Sequence, residues 1–400
     1  QQQQQQQQQL LPRLLSGSGK KGGPSPWRLG RRGTGGGGAS EEGGEGDRPA
    51  GTIPAAAAPS SSSAPDLDTL LLHQSSPIRR PLLNRGGGSS SDPAPAARAA
   101  CAAFRTLLSL CGDAAPAGTP PLAGSARLEA AHGLVTASLA DPGLRDEIYM
   151  QALKQTRGNP SRGSAARAWG VLAALASAVP PGPDFAVLVA EYVHAAASAK
   201  QGEGEVEEEQ QGVRGERSPL PPTRALARRA WAALKRSTRA GPRAHPPSLA
   251  DIAAALDGTP LTTSVTFLDG GAADIAFEPS ASVLDAVEAA AAAVGLAHHT
   301  TFTLFAVRPS PPGAEPREVG GGAPEGEVHV PLVDAAYLAD ALADAAAAAG
   351  AHHHHPSSAP PRLLFKKRLF REGDAAAAAA DPVFVSLAYT QARVDYLAGL

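Results

Sequence analysis

Apolar positions along the chain follow two different periods. From about residue 99 to residue 240 they recur every three or four residues, which predicts a series of amphipathic helices. Residues 261–268 alternate and are rich in β-branched side chains, which predicts a strand, and Asp269-Gly270 is a strong hairpin signal. The pattern therefore predicts a mainly α protein in which an α+β segment follows a helical bundle.

The best-defined predicted helix lies within residues 141–160. Asp141 is suited to cap this helix, and Pro142 is suited to its first turn, where no backbone donor is needed. One face carries the apolar stripe Leu144, Ile148 and Ala152. Because Gly158 allows a left-handed exit and Pro160 prevents further helix, the segment contains its own start and stop signals.

Capping signals set the bounds of other elements. We predict that Ser164 and Asp184 cap two further helices and that a basic helix covers 223–240. In the β-rich segment, Ser282 begins a capping-box pattern for a helix over 283–294. Strand, hairpin, strand, helix and strand, in this order, are the opening of a ubiquitin-like β-grasp fold.

The composition indicates that much of the chain is not packed. It has 43 glycines, 37 prolines and only 4% aromatic residues, which leaves little large apolar surface to offset the entropy of ordering. Residues 1–65 are low in complexity and are expected to be disordered, and residues 196–222 are expected to form an acidic loop insertion. The net charge of −2 gives no overall attraction toward nucleic acid.

The lack of a recognisable signal peptide and the small number of cysteines favour a cytoplasmic protein. The two cysteines are too few for a disulfide framework, and we expect both to be reduced thiols. No run of about 18 apolar residues occurs, so we expect no transmembrane segment, and the first residues do not resemble a signal peptide. Because the chain starts at Gln1 without a methionine, we expect it to be part of a longer protein.

Three segments of the helical half resemble one family. Residues 144–160, LRDEIYMQALKQTRGNP, are similar to the signature of the MyTH4 domain, a helical module in the tails of certain myosins and of one class of plant and algal kinesins. The run RAW at 167–169 resembles that family's Arg-Gly-Trp helix, and VPP at 179–181 resembles its Phe-Pro-Pro stop. On this resemblance, residues 66–245 form a MyTH4 helical domain.

The β-rich half is similar to the first lobe of a FERM domain. The segments that carry this similarity are LTTSVTFLD at 261–269, TFTLF at 301–305, FKKRLFRE at 365–372 and DPVFV at 381–385. The resemblance assigns residues 248–372 to the ubiquitin-like first lobe and residues 381–400 to a truncated start of the second lobe. We expect residues 381–400 to pack poorly, because a lone helix needs partner helices.

A MyTH4–FERM tandem with these sequence motifs is similar to the tail of the kinesin-like calmodulin-binding proteins, which are minus-end-directed kinesins of plants and green algae. The resemblance implies a non-catalytic tail bound to the cytoskeleton, with MyTH4 contacting microtubules and FERM contacting actin or cargo. The motor ATPase and the calmodulin-binding segment would lie outside these residues, since they contain no G-x-x-x-x-G-K-[ST] loop for ATP phosphates. The alternative is an adaptor that binds cytoplasmic peptide tails of membrane or signalling proteins.

The candidate microtubule-binding residues lie on and just after the predicted basic helix. They are seven cations with no acidic residue among them: Arg224, Arg228, Arg229, Lys235, Arg236, Arg239 and Arg243. Leu226, Trp231 and Leu234 supply an apolar side, so the cations would project from a packed helix toward acidic tubulin. The alternative is a solvated helix face that links two domains.

The remaining candidate groups favour structural roles. A secondary basic patch, for which we favour the polar side of an edge strand over an actin or lipid contact, consists of Lys366, Lys367, Arg368 and Arg371. Asp146 and Glu147 point about 100° apart on a helix and are interpreted as helix-surface charge. The histidine run 352–355 is expected to be a loop, and we expect no catalytic residue, metal site or cofactor.

Overall fold

The computed structural model describes seven stretches of the chain. These are residues 71–83, 95–113, 120–199, 223–309, 327–350, 362–371 and 374–397. The predictions for residues 1–65, for most of the loop 196–222 and for the histidine run 352–355 lie outside them. Among the described residues, no helix is long and apolar enough to cross a membrane.

Seven helices of the described residues form a helical domain with one core. Their bounds are α1 (Pro95–Cys111), α2 (Gly124–Ala140), α3 (Pro142–Thr156), α4 (Arg162–Ala178), α5 (Pro183–Ser198), α6 (Thr223–Ala240) and α7 (Leu249–Asp257). Helix α4 lies at the centre, where it packs against α1, α2, α3, α6 and α7. The helical bundle predicted from the periodicity is therefore confirmed.

Helices α4 and α7 approach each other closely at Gly170. A Cβ atom on this residue would lie 2.9 Å from the backbone oxygen of Leu256. We expect Gly170→Ala to force the two helices apart and to lower the free energy of unfolding by about 1–3 kcal/mol. Urea unfolding measures this change. Gly133→Ala on α2 is the control, because a Cβ there meets nothing within 4 Å, and equal stability of both variants would contradict the close approach.

Two helices begin earlier than predicted. Ser161, rather than Ser164, caps α4, and its hydroxyl accepts a hydrogen bond from the Ser164 backbone nitrogen at 3.2 Å. Gly182 occupies the N-cap of α5, and Asp184 lies in the first turn. The prediction for α5 fails because Pro183, whose missing N–H costs nothing at a helix start, extends the helix by a residue before Asp184.

Helix α7 differs from the prediction that residues from 248 onward belong to the ubiquitin-like lobe. Ser248 and Asp251 form a capping box at its start, and Gly258 ends it with a left-handed φ of 68°. Ile252 and Leu256 are buried in the core of the helical domain. The boundary between the two domains therefore follows α7 instead of preceding it.

The second domain, here called the ubiquitin-like lobe, is built on a five-stranded mixed sheet. Its elements are β1 (Leu261–Phe267), β2 (Ala272–Phe277), α8 (Val283–Val294), β3 (Phe302–Pro309), β4 (Glu327–Pro331), α9 (Leu338–Gly350) and β5 (Leu363–Lys367). The sheet order is β2-β1-β5-β3-β4, with β1 and β5 parallel and the other neighbours antiparallel. Helix α8 packs against β2 and β3. These features confirm the predicted β-grasp.

Strand β5 lies in the middle of this sheet, between β1 and β3. The interpretation of Lys366 and Lys367 as polar residues of an edge strand is therefore wrong. Parallel pairing such as that of Val265 with Leu363 joins strands that are far apart in sequence, so local pattern cannot reveal it. Both lysines are buried, with 6% and 2% of their surface exposed.

Two further helices, the short α10 (Asp374–Ala380) and the longer α11 (Pro382–Leu397), follow the lobe. The Asp381 carboxylate accepts hydrogen bonds from the Ala297 and His298 backbone nitrogens of the lobe, at 2.8 and 3.1 Å. Phe384 is buried in the core of the lobe. The expected poor packing of residues 381–400 is therefore wrong for the start of α11, although its far end exposes Tyr396 to 80%.

Helix α3, which carries the LRDEIYMQALKQT motif, is surrounded by other elements. Its buried polar residues are Asp146, Glu147, Gln151, Lys154 and Gln155. Asp146 accepts a hydrogen bond from the Gly182 backbone nitrogen at 2.7 Å, and the Tyr149 hydroxyl donates to the Val179 carbonyl oxygen at 2.7 Å. The interpretation of Asp146 and Glu147 as surface charge is therefore wrong, because buried polar groups need such partners.

Glu147 fastens residues 71–83, here called the N-terminal strap, to the helical domain. Its carboxylate accepts hydrogen bonds from the Leu82 and Leu83 backbone nitrogens, each at 2.8 Å. It also accepts one from the Gln151 side chain at 2.8 Å. Ile78 of the strap is buried. One carboxylate therefore joins the strap to the centre of the bundle.

Candidate functional site

The basic helix α6 presents three different faces. Its buried face packs into the helical domain and consists of Leu226, Ala227, Ala230, Ala233, Leu234 and Ser237. The predicted cations occupy the two remaining faces or follow the helix. Because a helix advances by about 100° per residue, the spacing of these cations decides which of them point together.

Four cations form one row, here called the outward stripe. They are Arg224, Arg228, Lys235 and Arg239, and they span an arc of about 60° and a length of about 22 Å. Arg228 and Arg239 are exposed, and the other two are half-buried. Lys235 Nζ lies 5.7 Å from the centre of the Trp231 ring, which places its charge over an aromatic face. Within the described stretches, no carboxylate forms an ion pair with these four side chains.

Two other cations, here called the docking pair, point toward the ubiquitin-like lobe. Arg229 Nη2 lies 2.5 Å from Glu278 Oε1. Arg236 Nε lies 3.4 Å from Asp285 Oδ2, and its Nη1 lies 3.5 Å from the Ser280 hydroxyl. Between about a quarter and two fifths of each paired side chain is exposed, so each pair stabilises only weakly.

Arg243, the last predicted cation, is buried between the two domains. Its guanidinium donates to Asp251 Oδ2 of α7 and to Asp340 Oδ1 of α9, both at 2.8 Å. Only 2% of its side chain is exposed. Burial alone would lower the pKa of Arg243, but the two carboxylates outweigh burial and raise it. The Tyr337 hydroxyl of the lobe also donates to the Gly241 carbonyl oxygen at 2.7 Å.

The structure therefore divides the seven predicted cations by location. Four project from the helical domain, two face the lobe at its rim, and one is enclosed. The sequence prediction missed their partners, which are Asp251, Glu278, Asp285 and Asp340. The spacing of Arg229 and Arg236 does put them on a separate face, but nothing local indicates that a distant lobe covers that face.

Comparison with known families identifies the helical domain. The family model for the MyTH4 domain matches residues 131–254, which include the end of α2, all of α3, α4, α5 and α6, and most of α7. These residues therefore match the MyTH4 domain family. The match includes both the motif helix α3 and the basic helix α6.

Two similar proteins are plant kinesin-like proteins. The chain is 34% identical to kinesin-like protein KIN-14I of Oryza sativa subsp. japonica over 273 residues, which make up 68% of this chain and 20% of that protein. It is 32% identical to kinesin-like protein KIN-14E of Arabidopsis thaliana over 242 residues, which make up 60% of this chain and 17% of that protein. The chain thus spans about a fifth of the length of these relatives.

A solved structure has a similar fold. The MyTH4–FERM MF1 domain of Dictyostelium discoideum myosin VII, in a mutant form, matches with a TM-score of 0.57 and 19% identity. The match covers 82% of this chain and 58% of that chain. The fold is therefore that of a MyTH4 domain followed by the first lobe of a FERM domain.

The four residues of the secondary basic patch do not share one surface of the ubiquitin-like lobe, because two are buried and two are exposed. Lys367 Nζ lies 2.7 Å from Asp374 and 4.6 Å from the centre of the Phe384 ring, so this lysine joins the lobe to α10 and α11. Lys366 Nζ lies 4.6 Å from the centre of the Phe305 ring, and burial lowers its pKa. Arg368 and Arg371 remain exposed.

His329 is buried beside Lys366, with its Nδ1 3.2 Å from Lys366 Nζ. Burial, followed by the charge of Lys366, lowers the pKa of His329 from 6.5 to about 4. The nearby Glu327 carboxylate opposes this shift only in part. The imidazole is therefore kept neutral inside the fold at neutral pH.

The stability of the protein is expected to decrease as the pH is lowered from 6.5 to 4. In that window the unfolded chain binds a proton at His329 that the folded chain excludes, so unfolding becomes easier by up to about 3 kcal/mol as the pH falls. Urea unfolding across this window measures the slope. His329→Gln removes the titrating group and should flatten this part of the profile, whereas an unchanged slope would contradict the assignment.

The described residues contain no group of three or more His, Cys, Asp and Glu side chains arranged to hold a metal ion. Cys101 and Cys111 are buried free thiols. Burial raises the pKa of the Cys111 thiol, and the charge of Asp113 adds to this effect. A thiol in this environment is a poor nucleophile.

Proposed function

We propose that this region is the non-catalytic cytoskeleton-binding tail of a microtubule-based motor, and that its MyTH4 domain contacts microtubules through α6. The outward stripe is the observation that carries the proposal. It places four cations on one accessible row of a helix whose opposite face is fixed in the core. Such a row attracts an acidic polymer surface, and the attraction weakens as salt increases.

The kinesin-like relatives supply independent support for this proposal. Their names associate the MyTH4-containing sequence with microtubule-based motors. On that basis the full protein would carry a kinesin motor ATPase elsewhere, and calmodulin would bind outside these residues. The region would then be found on the cytoskeleton in the cytoplasm. The FERM part would contact actin or cargo, and any charged contact from the secondary patch would come from Arg368 and Arg371, which are exposed.

Microtubule cosedimentation over a salt series tests the proposal. The variant R228E/K235E/R239E reverses three charges of the outward stripe and is expected to weaken binding by more than about tenfold at low salt. Wild-type binding should also decline steeply with salt. Absence of wild-type pelleting at low salt would contradict microtubule binding.

A matched control separates the stripe from overall charge. Arg79, Arg80 and Arg105 are exposed on the strap and on α1. The variant R79E/R80E/R105E changes the net charge by the same amount and is expected to change binding by less than about threefold. Equal losses in both variants would show that net charge, and not the outward stripe, governs binding.

A further inference from the structure

The docking pair lies beside the outward stripe on the same helix. Arg229 and Arg236 are seven positions apart, so they project from one side of α6, about 60–140° around the axis from the outward stripe. Both rows are thus within reach of one acidic partner that runs along the helix. The two rows differ in whether carboxylates of the protein already pair with their cations.

Carboxylates of the ubiquitin-like lobe occupy the docking pair. Glu278 follows β2 and accepts from Arg229, while Asp285 lies in the first turn of α8 and pairs with Arg236. These contacts bring acidic groups to a basic helix in the same way as an external acidic chain would. Because all four side chains are partly exposed, an external carboxylate can replace the internal one without opening the core.

We propose that Glu278 and Asp285 act as an internal acidic ligand of the basic helix, which competes with an acidic partner for Arg229 and Arg236. The identity of that partner as a microtubule rests on the proposed function. In the docked protein the partner meets four cations, and it meets six when the internal carboxylates give way. The affinity of α6 for an acidic polymer is thereby set by the lobe.

The buried Arg243 holds the two domains together independently of the pairs for which the acidic partner competes. It joins α7 and α9 through Asp251 and Asp340, away from the exposed rim. Removing the charges of Glu278 and Asp285 should therefore leave the two domains together while it releases the docking pair. Competition of this kind is reciprocal, so a bound acidic polymer should also weaken the rim contacts.

The central test measures binding of the variant E278Q/D285N to microtubules and to poly-L-glutamate at low salt. We expect about three- to tenfold tighter binding than wild type to both. The control D274N/E288Q removes the same charge from exposed positions of the same lobe and should tighten binding by less than about twofold. Since Asp285 also belongs to the capping box of α8, in which Ser282 is the N-cap, Glu278→Gln alone is a second test that leaves this box intact, and it should still tighten binding.

A quadruple variant that adds R229Q and R236Q to E278Q/D285N identifies the groups responsible. Its affinity should return close to that of wild type, because the released cations are then absent. Equal gains in both acid-removal variants, no gain in E278Q/D285N, or a gain that persists in the quadruple variant would overturn the proposal.

Failure of this proposal can be told from failure of the proposed function. If the expected pattern appears with poly-L-glutamate but neither wild type nor any variant binds microtubules, the internal acidic ligand is supported and the proposal that the partner is a microtubule is wrong. If wild type binds microtubules but neither polymer shows the pattern, microtubule binding stands and the internal ligand is wrong.

Discussion

Replacing Arg243 with leucine is expected to lower the free energy of unfolding by about 3–5 kcal/mol, because it leaves two buried carboxylates without a counter-charge. Asp251 and Asp340 each expose only 9% of their side chains, so water cannot replace the guanidinium. Urea unfolding followed by circular dichroism measures the loss. Hydrogen exchange should also show greater opening of α7 and α9, the two helices that Arg243 joins.

Two controls test the reason for this loss. Arg239→Leu is the same change at an exposed position and should alter stability by less than about 0.5 kcal/mol. The triple variant R243L/D251N/D340N should recover part of the loss, since neutral amides cost less to bury than unpaired carboxylates. An Arg243→Leu protein within about 1 kcal/mol of wild type would contradict a buried ionic clamp.

Replacing Glu147 with alanine is expected to lower the free energy of unfolding by about 2–4 kcal/mol, because the strap and Gln151 lose a shared acceptor. The backbone nitrogens of Leu82 and Leu83 would be left without the carboxylate that now binds both at 2.8 Å. We also expect the strap to detach before the helices unfold. Hydrogen exchange at Leu82 and Leu83 measures that detachment separately from global unfolding.

Glu147→Gln is the matched control for this prediction. It keeps one acceptor oxygen in the same place, so the loss of stability should be clearly smaller than for alanine. Protection of the Leu82 and Leu83 amides that remains at the wild-type level in the alanine variant would show that Glu147 does not hold the strap.

Local signals were sufficient for most elements of the fold. Asp141 caps α3 and Gly158 ends it with a φ of 61°, as their types and spacing predict. The capping box at Ser282 is also present. A capping box also exists at Ser248, where it marks the start of α7. Because a β-rich pattern follows it, the sequence predicts that residues from 248 onward belong to the ubiquitin-like lobe. These features depend on a few neighbouring residues, so sequence alone contains them.

Long-range packing explains what the sequence could not reveal. Asp146 and Glu147 look like surface charge on an amphipathic helix, yet α3 is enclosed on several sides. Lys367 looks exposed until β5 is placed between β1 and β3. The docking pair has the right spacing for a separate face, but its carboxylate partners are 49 residues further along the chain. Which cations remain available therefore depends on the docked lobe.

Zero-length carbodiimide cross-linking of the protein bound to microtubules tests the central claim most directly. Lys235 is the one exposed or half-buried lysine of the described residues, since Lys154, Lys366 and Lys367 are buried. A cross-link between Lys235 and a tubulin carboxylate, found by mass spectrometry, is the predicted result. It should disappear in Lys235→Arg, which keeps the charge and therefore keeps binding. Wild-type cross-links to tubulin that come only from lysines outside α6 would contradict the account.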